Sequence, residues 1–271
     1  MVMRPIFSPD YPFVILGGGY TGSFLYHLAK ERGYRTFATS RLPEQNVSFA
    51  CPEDRLYFDL ENPHSWAKIP YPANLIWCFP ALPEGMAYSF AKEMHYKQCR
   101  LVLLGSTSAY STGMDTIIDE MARLNLHRPR VISEEGIRVN FGGTVLRLAG
   151  LYGPGRNVLD WIRDGRIQNT GRYVNLIHIK DVAEICLAAC TQADAGAHYV
   201  VSDGTPRQWS AICEFAHQRW DIAIPPPTET SNIGKRLSSN KILSALDYHL
   251  KYPDLYSALN ALESLPGSPE S

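Results

Sequence analysis

The chain has 271 residues, 45% of them apolar and 20% charged, with a net charge of −1 at neutral pH. Those values suit one large globular domain, or a main domain with a smaller appendage. They leave no broad basic field for nucleic acid or an anionic membrane, and no apolar run approaches the roughly 18 residues that span a bilayer.

The first twelve residues carry one arginine, three prolines and no apolar core, so they do not read as a signal peptide. The six cysteines, at 51, 78, 99, 186, 190 and 213, are scattered and include no Cys-x-x-C. Reduced thiols in a cytoplasmic protein are expected. Cys186 and Cys190 stand one helical turn apart but lack a His or Cys companion at ligand spacing, so no metal is expected.

Taken in chain order, Phe13–Leu16 is an apolar strand running straight into Gly17-Gly-Gly-Tyr-Thr-Gly22. Gly17, Gly19 and Gly22 give the spacing G-x-G-x-x-G between a strand and a helix. The first glycine permits the tight turn, the second lets backbone approach a pyrophosphate, and the third lets the helix pack close to the sheet. Tyr20 and Thr21 fall at the helix N-terminus, whose unpaired N–H groups and dipole favour phosphate. The helix runs from about 21 to 32, with Phe24, Leu25, Leu28 and Ala29 on one face, and Gly33 ends it. Strands follow at 35–39, 55–58, 74–79 and 100–104, with a helix over 87–97. This alternation predicts an α/β fold, a Rossmann doubly wound parallel sheet with a small C-terminal substrate-binding subdomain. Ligands in such sheets sit at the carboxyl ends of the strands. The loops carrying Ser40 and Arg41, Asp59 and Leu60, Phe79 and Pro80, and Ser106 therefore converge on one crevice.

The second strand ends in Ala38-Thr-Ser-Arg41, with no carboxylate to accept from the ribose hydroxyls of NAD. Ser40 and Arg41 suit a 2′-phosphate, since a guanidinium pairs with phosphate through two parallel hydrogen bonds. NADP is expected, with NAD as second choice. Asp59 is read either as a contact to the adenine edge or as a turn former.

The glycine turn, Asp59-Leu60, the Ser106 to Tyr110 segment, Arg147-Leu-Ala-Gly-Leu-Tyr-Gly-Pro-Gly155, Asn175-Leu-Ile-His-Ile-Lys-Asp-Val-Ala183 and Gly234-Lys-Arg236 occur in one order. Together they resemble the NAD(P)-dependent epimerase/dehydratase group of the extended short-chain dehydrogenase/reductases, over roughly residues 12 to 262. The resemblance implies a Rossmann domain over 12–150. It implies a smaller substrate-side region over 151–264, interleaved with the sheet. It also implies chemistry at carbonyl or hydroxyl carbons of a small substrate, often a sugar nucleotide. Members often pair as homodimers.

The chain departs from that family at the proton-transfer helix. Ser106 holds the place of the family's catalytic Ser or Thr relative to Tyr110, but no Tyr-x-x-x-Lys follows. With Glu134 as the family's glutamate, Leu126 falls at the tyrosine position and Arg130 at the lysine position. Leu126 cannot exchange a proton, and Arg130 can hold a ribose or phosphate but does not titrate. Such losses resemble the atypical branch of the family, where some members are enzymes and some only bind dinucleotide. Tyr110 and Tyr152 are the candidate replacement acids, should positive charge lower a phenol beside the crevice. His127 and His178 titrate near neutral pH, though His178 alternates with apolar residues as a structural strand histidine does. Ser106 is read as donating to a substrate oxygen or the nicotinamide carboxamide, or as capping a turn.

In the second half, Arg156 is placed to meet an anionic substrate. Asn175 and His178 recur in the family around the substrate pocket, and Asp181 is expected to cap a helix over 182–191. A helix is predicted from Pro206 to Trp220, a rigid linker at 225–227, and disorder at 265–271. Lys235-Arg236 is either a phosphate site or a solvated pair. Two functions fit: an NADP-dependent oxidoreductase or epimerase-like enzyme, or a dinucleotide-binding sensor or scaffold that has lost its chemistry.

Overall fold

The computed structural model describes residues 8, 10–111 and 117–264. The disorder expected at 265–271 lies outside the described residues. The chain opens with β1 (Phe13–Leu16), α1 (Tyr20–Glu31), β2 (Thr36–Ser40), α2 (Pro43–Asn46), β3 (Arg55–Tyr57), α3 (Pro63–Trp66) and β4 (Asn74–Trp77). It continues with α4 (Glu84–Tyr96), β5 (Arg100–Ser106), β6 (Ile117–Ile118), α5 (Pro129–Phe141) and β7 (Thr144–Leu148). Seven strands form one parallel sheet in the order β11-β7-β5-β4-β1-β2-β3, where β11 is His198–Val201.

The central strands are largely apolar because both faces of the sheet are covered, with Asn74, Arg100 and Arg147 as buried exceptions. Alternate residues serve alternate cores, as the two-residue period of a strand requires. Phe13 and Ile15 join Leu25 and Ala29 of α1 and the apolar side of α7 (Ile179–Gln192). Val14 and Leu16 join Phe90 and Met94 of α4 and Ile137 of α5. Each such fully buried side chain contributes about 1.5–3 kcal/mol. From β1 the chain moves outward through β2 and β3, then returns to β4 on the other side of β1. This reversal opens a crevice beyond the carboxyl ends of β1 and β4.

The remaining elements are β8 (Gly150–Tyr152), α6 (Val158–Arg163), β9 (Tyr173–Val174), β10 (Leu176–His178), β12 (Arg207–Gln208), α8 (Trp209–Trp220), β13 (Arg236–Leu237), α9 (Asn240–Ala245) and α10 (Leu255–Glu263). Helices α6, α8 and α10 close a separate core around Leu159, Ile212 and Leu259. The same stretch of chain also supplies β11 to the main sheet and α7 to the layer beside α1. The helix expected from Pro206 begins at Trp209, because Arg207–Gln208 pair antiparallel with Tyr173–Val174.

Asp181 does not cap its helix. Helix α7 begins at Ile179, and His178 is the cap, its Nδ1 accepting from the Lys180 amide at 3.3 Å. Asp181 is fully buried and pins the chain after α9 instead. It accepts from Tyr248 Oη at 2.7 Å, the Lys251 amide at 2.8 Å and the Tyr252 amide at 3.0 Å. Three donors offset the cost of burying a carboxylate. Among the described residues, no helix is long and apolar enough to cross a membrane, and no group of three His, Cys, Asp or Glu could hold a metal ion.

Candidate functional site

A cleft of about 630 Å³ lies at the crevice. It is lined by Gly17 and Gly19 from the turn, Ser40 and Arg41 beyond β2, Asp59 and Leu60 beyond β3, and Phe79 and Pro80 beyond β4. Residues separated by up to 63 positions meet there because parallel strands deliver all their carboxyl ends to one edge.

The glycines divide their work. Gly17 has φ +105°, a left-handed geometry that a side chain resists, and its amide donates to Thr39 Oγ1 at 3.3 Å. A Cβ on Gly22 would lie 2.1 Å from the Gly17 carbonyl oxygen. A Cβ on Gly19 would meet nothing within 4 Å. Gly19 is also the N-cap of α1, and no side chain caps that helix. The first amides of α1 thus have no side-chain cap among the described residues, which is the arrangement that takes phosphate. Gly18, outside the three-glycine spacing, is equally constrained: its Cβ would lie 2.1 Å from Val47 Cγ1. Only the fold reveals that contact, since the α2 segment returns over the turn.

Ser40 Oγ accepts from the Leu42 amide at 3.1 Å and from Asn46 Nδ2 at 3.0 Å, which fixes the loop beside the cleft. Arg41 is exposed and makes no hydrogen bond or ion pair among the described residues. Asp59 Oδ1 accepts from the Glu61 amide at 3.0 Å, so its carboxylate shapes a turn at the cleft wall. Asn46 and Glu61 also line the cleft, and no spacing in the sequence marks them. Tyr20 and Thr21 open α1. Tyr20 Oη donates to the Pro154 carbonyl at 3.0 Å, and the Arg156 guanidinium lies 4.3 Å from the centre of its ring. Burial, opposed by Arg156, pushes the Tyr20 phenol up to about 12. Arg156 thereby stands over the N-terminus of α1, beside the glycine turn.

The other predicted residues lie away from the cleft. Ser106 ends β5, and its Oγ accepts from the Ser108 amide at 3.2 Å. Tyr110 and Tyr152 are both buried, and neither hydroxyl has a hydrogen-bond partner among the described residues. Burial pushes both phenols well above their usual range, in Tyr110 despite Arg147 at 5.9 Å from its ring centre. Burial of Tyr110 therefore outweighs the lowering that the Arg147 charge supplies, and its phenol ends above the usual range. Leu126 is exposed on the loop before α5. Arg130 is tied down by Glu134 Oε1 at 2.6 Å and the Leu104 carbonyl at 2.6 Å. Glu134 in turn holds Arg147 Nη1 at 2.8 Å.

Asn175 and His178 are occupied by the fold. Asn175 Nδ2 donates to the Lys235 carbonyl at 2.7 Å, and its Oδ1 accepts from the Leu237 amide at 2.9 Å. His178 is 2% exposed and stacks on Tyr252 with ring centres 3.7 Å apart. Burial, aided by Lys180, pushes its imidazole down to about 4. The unfolded chain then binds the extra proton first, so stability from this group is full above about pH 6.5 and is lost as pH falls toward 4. On the order of 3 kcal/mol is at stake. Denaturant melts at pH 7 and pH 4.5 are expected to show that loss, and His178→Asn, which keeps a cap acceptor, should flatten it. An equal acid loss in His178→Asn would assign it to other groups.

No family model matches the chain. Over 173 residues it is 28% identical to Protein YeeZ of Escherichia coli K12, a match covering 57% of this chain. The chain spans 59% of the length of that curated relative. Among solved structures, a functionally unknown conserved protein from Silicibacter pomeroyi is similar over 93% of this chain and 98% of its own, with a TM-score of 0.75 and 25% identity. The dTDP-glucose 4,6-dehydratase of Bacillus anthracis, solved with NAD, matches over 93% and 96% with a TM-score of 0.75 and 13% identity. At such identity the likeness to the dehydratase is one of architecture. Strand order, crevice and structural likeness together make this a Rossmann-type doubly wound fold with additional C-terminal helices.

Proposed function

We propose that this chain belongs with the NAD(P)-dependent epimerases and dehydratases, binds NADP(H) in its cleft, and acts as an oxidoreductase or epimerase-like enzyme on a small polar carbonyl or hydroxyl compound. The observation that carries the proposal is a cleft with a helix N-terminus behind Gly19 at one side and Arg41 at the other, the first without a side-chain cap and the second without a partner among the described residues. These residues fit a dinucleotide. The α1 amides would hold the pyrophosphate, Phe79 and Leu60 would wall the cleft, and Arg41 would pair with a 2′-phosphate. Bound there, the cofactor supplies redox equivalents to a substrate near the end of β5. Ser106 Oγ already accepts from the Ser108 amide, so its own proton is free to donate to a substrate oxygen.

A second reading, a dinucleotide-binding sensor or scaffold, is favoured by the enclosure of both candidate phenols. Neither Tyr110 nor Tyr152 presents its hydroxyl to the cleft, and Arg130 is bound to Glu134. Incubation with a labelled reduced cofactor and a panel of sugar nucleotides, aldehydes and ketones separates the readings: label transferred to any substrate supports the enzyme. Binding itself is tested by fluorescence titration of NADPH and NADH. Arg41→Ala is expected to weaken NADPH by about tenfold or more, the value of a charge-assisted hydrogen bond, while NADH changes within about twofold. Equal loss for both cofactors removes the 2′-phosphate role.

A further inference from the structure

The turn after β8 is held down by the first residue of α1. The Arg156 amide donates to the Gly153 carbonyl at 2.9 Å, and the Gly153 amide donates to the Arg156 carbonyl at 3.2 Å. Gly153 has φ +144°, and a Cβ there would lie 2.7 Å from Ile179 Cγ2 and 3.3 Å from Tyr20 Oη. Only glycine lets this turn settle between the starts of α7 and α1. Tyr20 grips the turn twice. Its hydroxyl donates to the Pro154 carbonyl at 3.0 Å, and its ring centre lies 4.3 Å from the guanidinium carbon of Arg156. The ring is itself fixed edge-on to Phe24, one helical turn along, with centres 5.1 Å apart. Gly19, on the cleft wall, is the residue before Tyr20.

A cation thus stands where electrostatics disfavours one. The N-terminus of a helix carries partial positive charge, which an acid in the first turn or a side-chain cap commonly offsets. Helix α1 has neither. Arg156 is exposed, and its side chain makes no hydrogen bond or ion pair among the described residues. A cation over a half-buried phenol ring is held weakly, whereas a guanidinium meets a phosphate through two parallel charge-assisted hydrogen bonds. One anion between Arg156 and the α1 amides would satisfy both. We propose that Arg156 is a second binding residue for the cofactor's pyrophosphate, alongside the α1 amides, and that Tyr20 is the positioning residue that holds it there. Arg156 then serves the dinucleotide instead of an anionic substrate, which rests on the reading of the cleft as a dinucleotide site. On binding, the guanidinium turns from the ring face to the phosphate oxygens, while the Tyr20 hydroxyl keeps the turn in place.

Calorimetric titration of the full chain with NADPH, NADH and ADP-ribose tests this. All three carry the pyrophosphate, and ADP-ribose lacks both the nicotinamide and the 2′-phosphate. Arg156→Gln should weaken all three by about tenfold or more, the value of charge-assisted hydrogen bonds. Arg156→Lys, which keeps the charge without the planar fork, should lose less. Tyr20→Phe keeps the ring and removes the bond to Pro154, and should weaken all three by about threefold. A purely structural tyrosine would add its loss to that of Arg156→Gln. A positioning one does not, so Arg156→Gln/Tyr20→Phe should bind about as Arg156→Gln does. Arg156 is exposed, so the melting midpoint of Arg156→Gln should match wild type. The proposal is overturned by Arg156→Gln protein that binds ADP-ribose as wild type does, whether or not NADPH binding falls. Additive losses in the double variant overturn the role of Tyr20. Failure of the dinucleotide reading shows separately, as wild-type protein that binds none of the three.

Discussion

Gly22→Ala is expected to destabilise the chain by about 2–4 kcal/mol, whereas Gly19→Ala is expected to leave stability within about 1 kcal/mol and to weaken NADPH binding about tenfold or more. The two glycines stand three residues apart in one motif, yet a methyl group meets opposite surroundings at each. At Gly22 it would lie 2.1 Å from the Gly17 carbonyl oxygen and 3.3 Å from Ile15 Cγ2. Neither neighbour can give way. β1 is hydrogen-bonded to β2 on one side and β4 on the other, and Gly17 already sits at φ +105°. Helix α1 must therefore lift from the sheet, and the melting midpoint should fall by roughly 4–16 °C. Gly19 has φ −74° and ψ −168°, which any residue adopts, and open space ahead of it. A methyl there occupies the space in front of the α1 amides, so NADPH should bind about tenfold weaker or worse. Calorimetric melting and NADPH titration of both variants check this. Undiminished NADPH affinity in Gly19→Ala would mean that phosphate does not sit at the turn.

That contrast shows what the sequence made legible. Strands β1, β4 and β5 are readable because a strand buried on both faces needs a nearly continuous apolar run, as in Phe13–Leu16 and in the Leu-Ile-Trp of Asn74–Trp77. Ser40, Arg41, Asp59 and Leu60 were locatable because topology alone sends strand ends to the crevice. The roles of Asn175, His178 and Asp181 were not legible. Their partners are supplied by chain 60 or more residues later for Asn175 and Asp181, at Lys235, Tyr248 and Lys251. His178 owes its depressed imidazole to burial under Tyr252, which periodicity does not encode. The tyrosines misled for a related reason: position beyond a strand end predicts the crevice, but packing turned Tyr110 and Tyr152 into the cores. The pairs β6 with β13 and β9 with β12 are two residues long, too short to carry any pattern.

Arg147→Met is expected to cost about 3–5 kcal/mol, because it leaves the buried Glu134 carboxylate with one of its two guanidinium partners, the partly exposed Arg130. Arg147 interrupts the otherwise apolar β7 and is fully buried. Its Nη1 meets Glu134 Oε2 at 2.8 Å and its Nη2 meets Glu135 Oε1 at 2.8 Å. Glu134 is 2% exposed, so water cannot replace the lost guanidinium, while Glu135 keeps Arg138 at 2.7 Å. Methionine fills much of the vacated volume, so the loss measures the stranded charge more than a cavity. Arg147→Met/Glu134→Leu should then be more stable than Arg147→Met alone, since the second change removes the stranded charge, and Arg130 can turn toward solvent. The site should feel the single change as well. Glu134 also holds Arg130, which donates to the Leu104 carbonyl at 2.6 Å, two residues before Ser106. Denaturant melts of both variants, with hydrogen exchange at Leu104 to Ser106, read the two effects together. A single variant as stable as wild type would show that Arg130 alone suffices for Glu134. A double variant less stable than the single would show instead that Glu134 is worth more to Arg130 than its stranded charge costs.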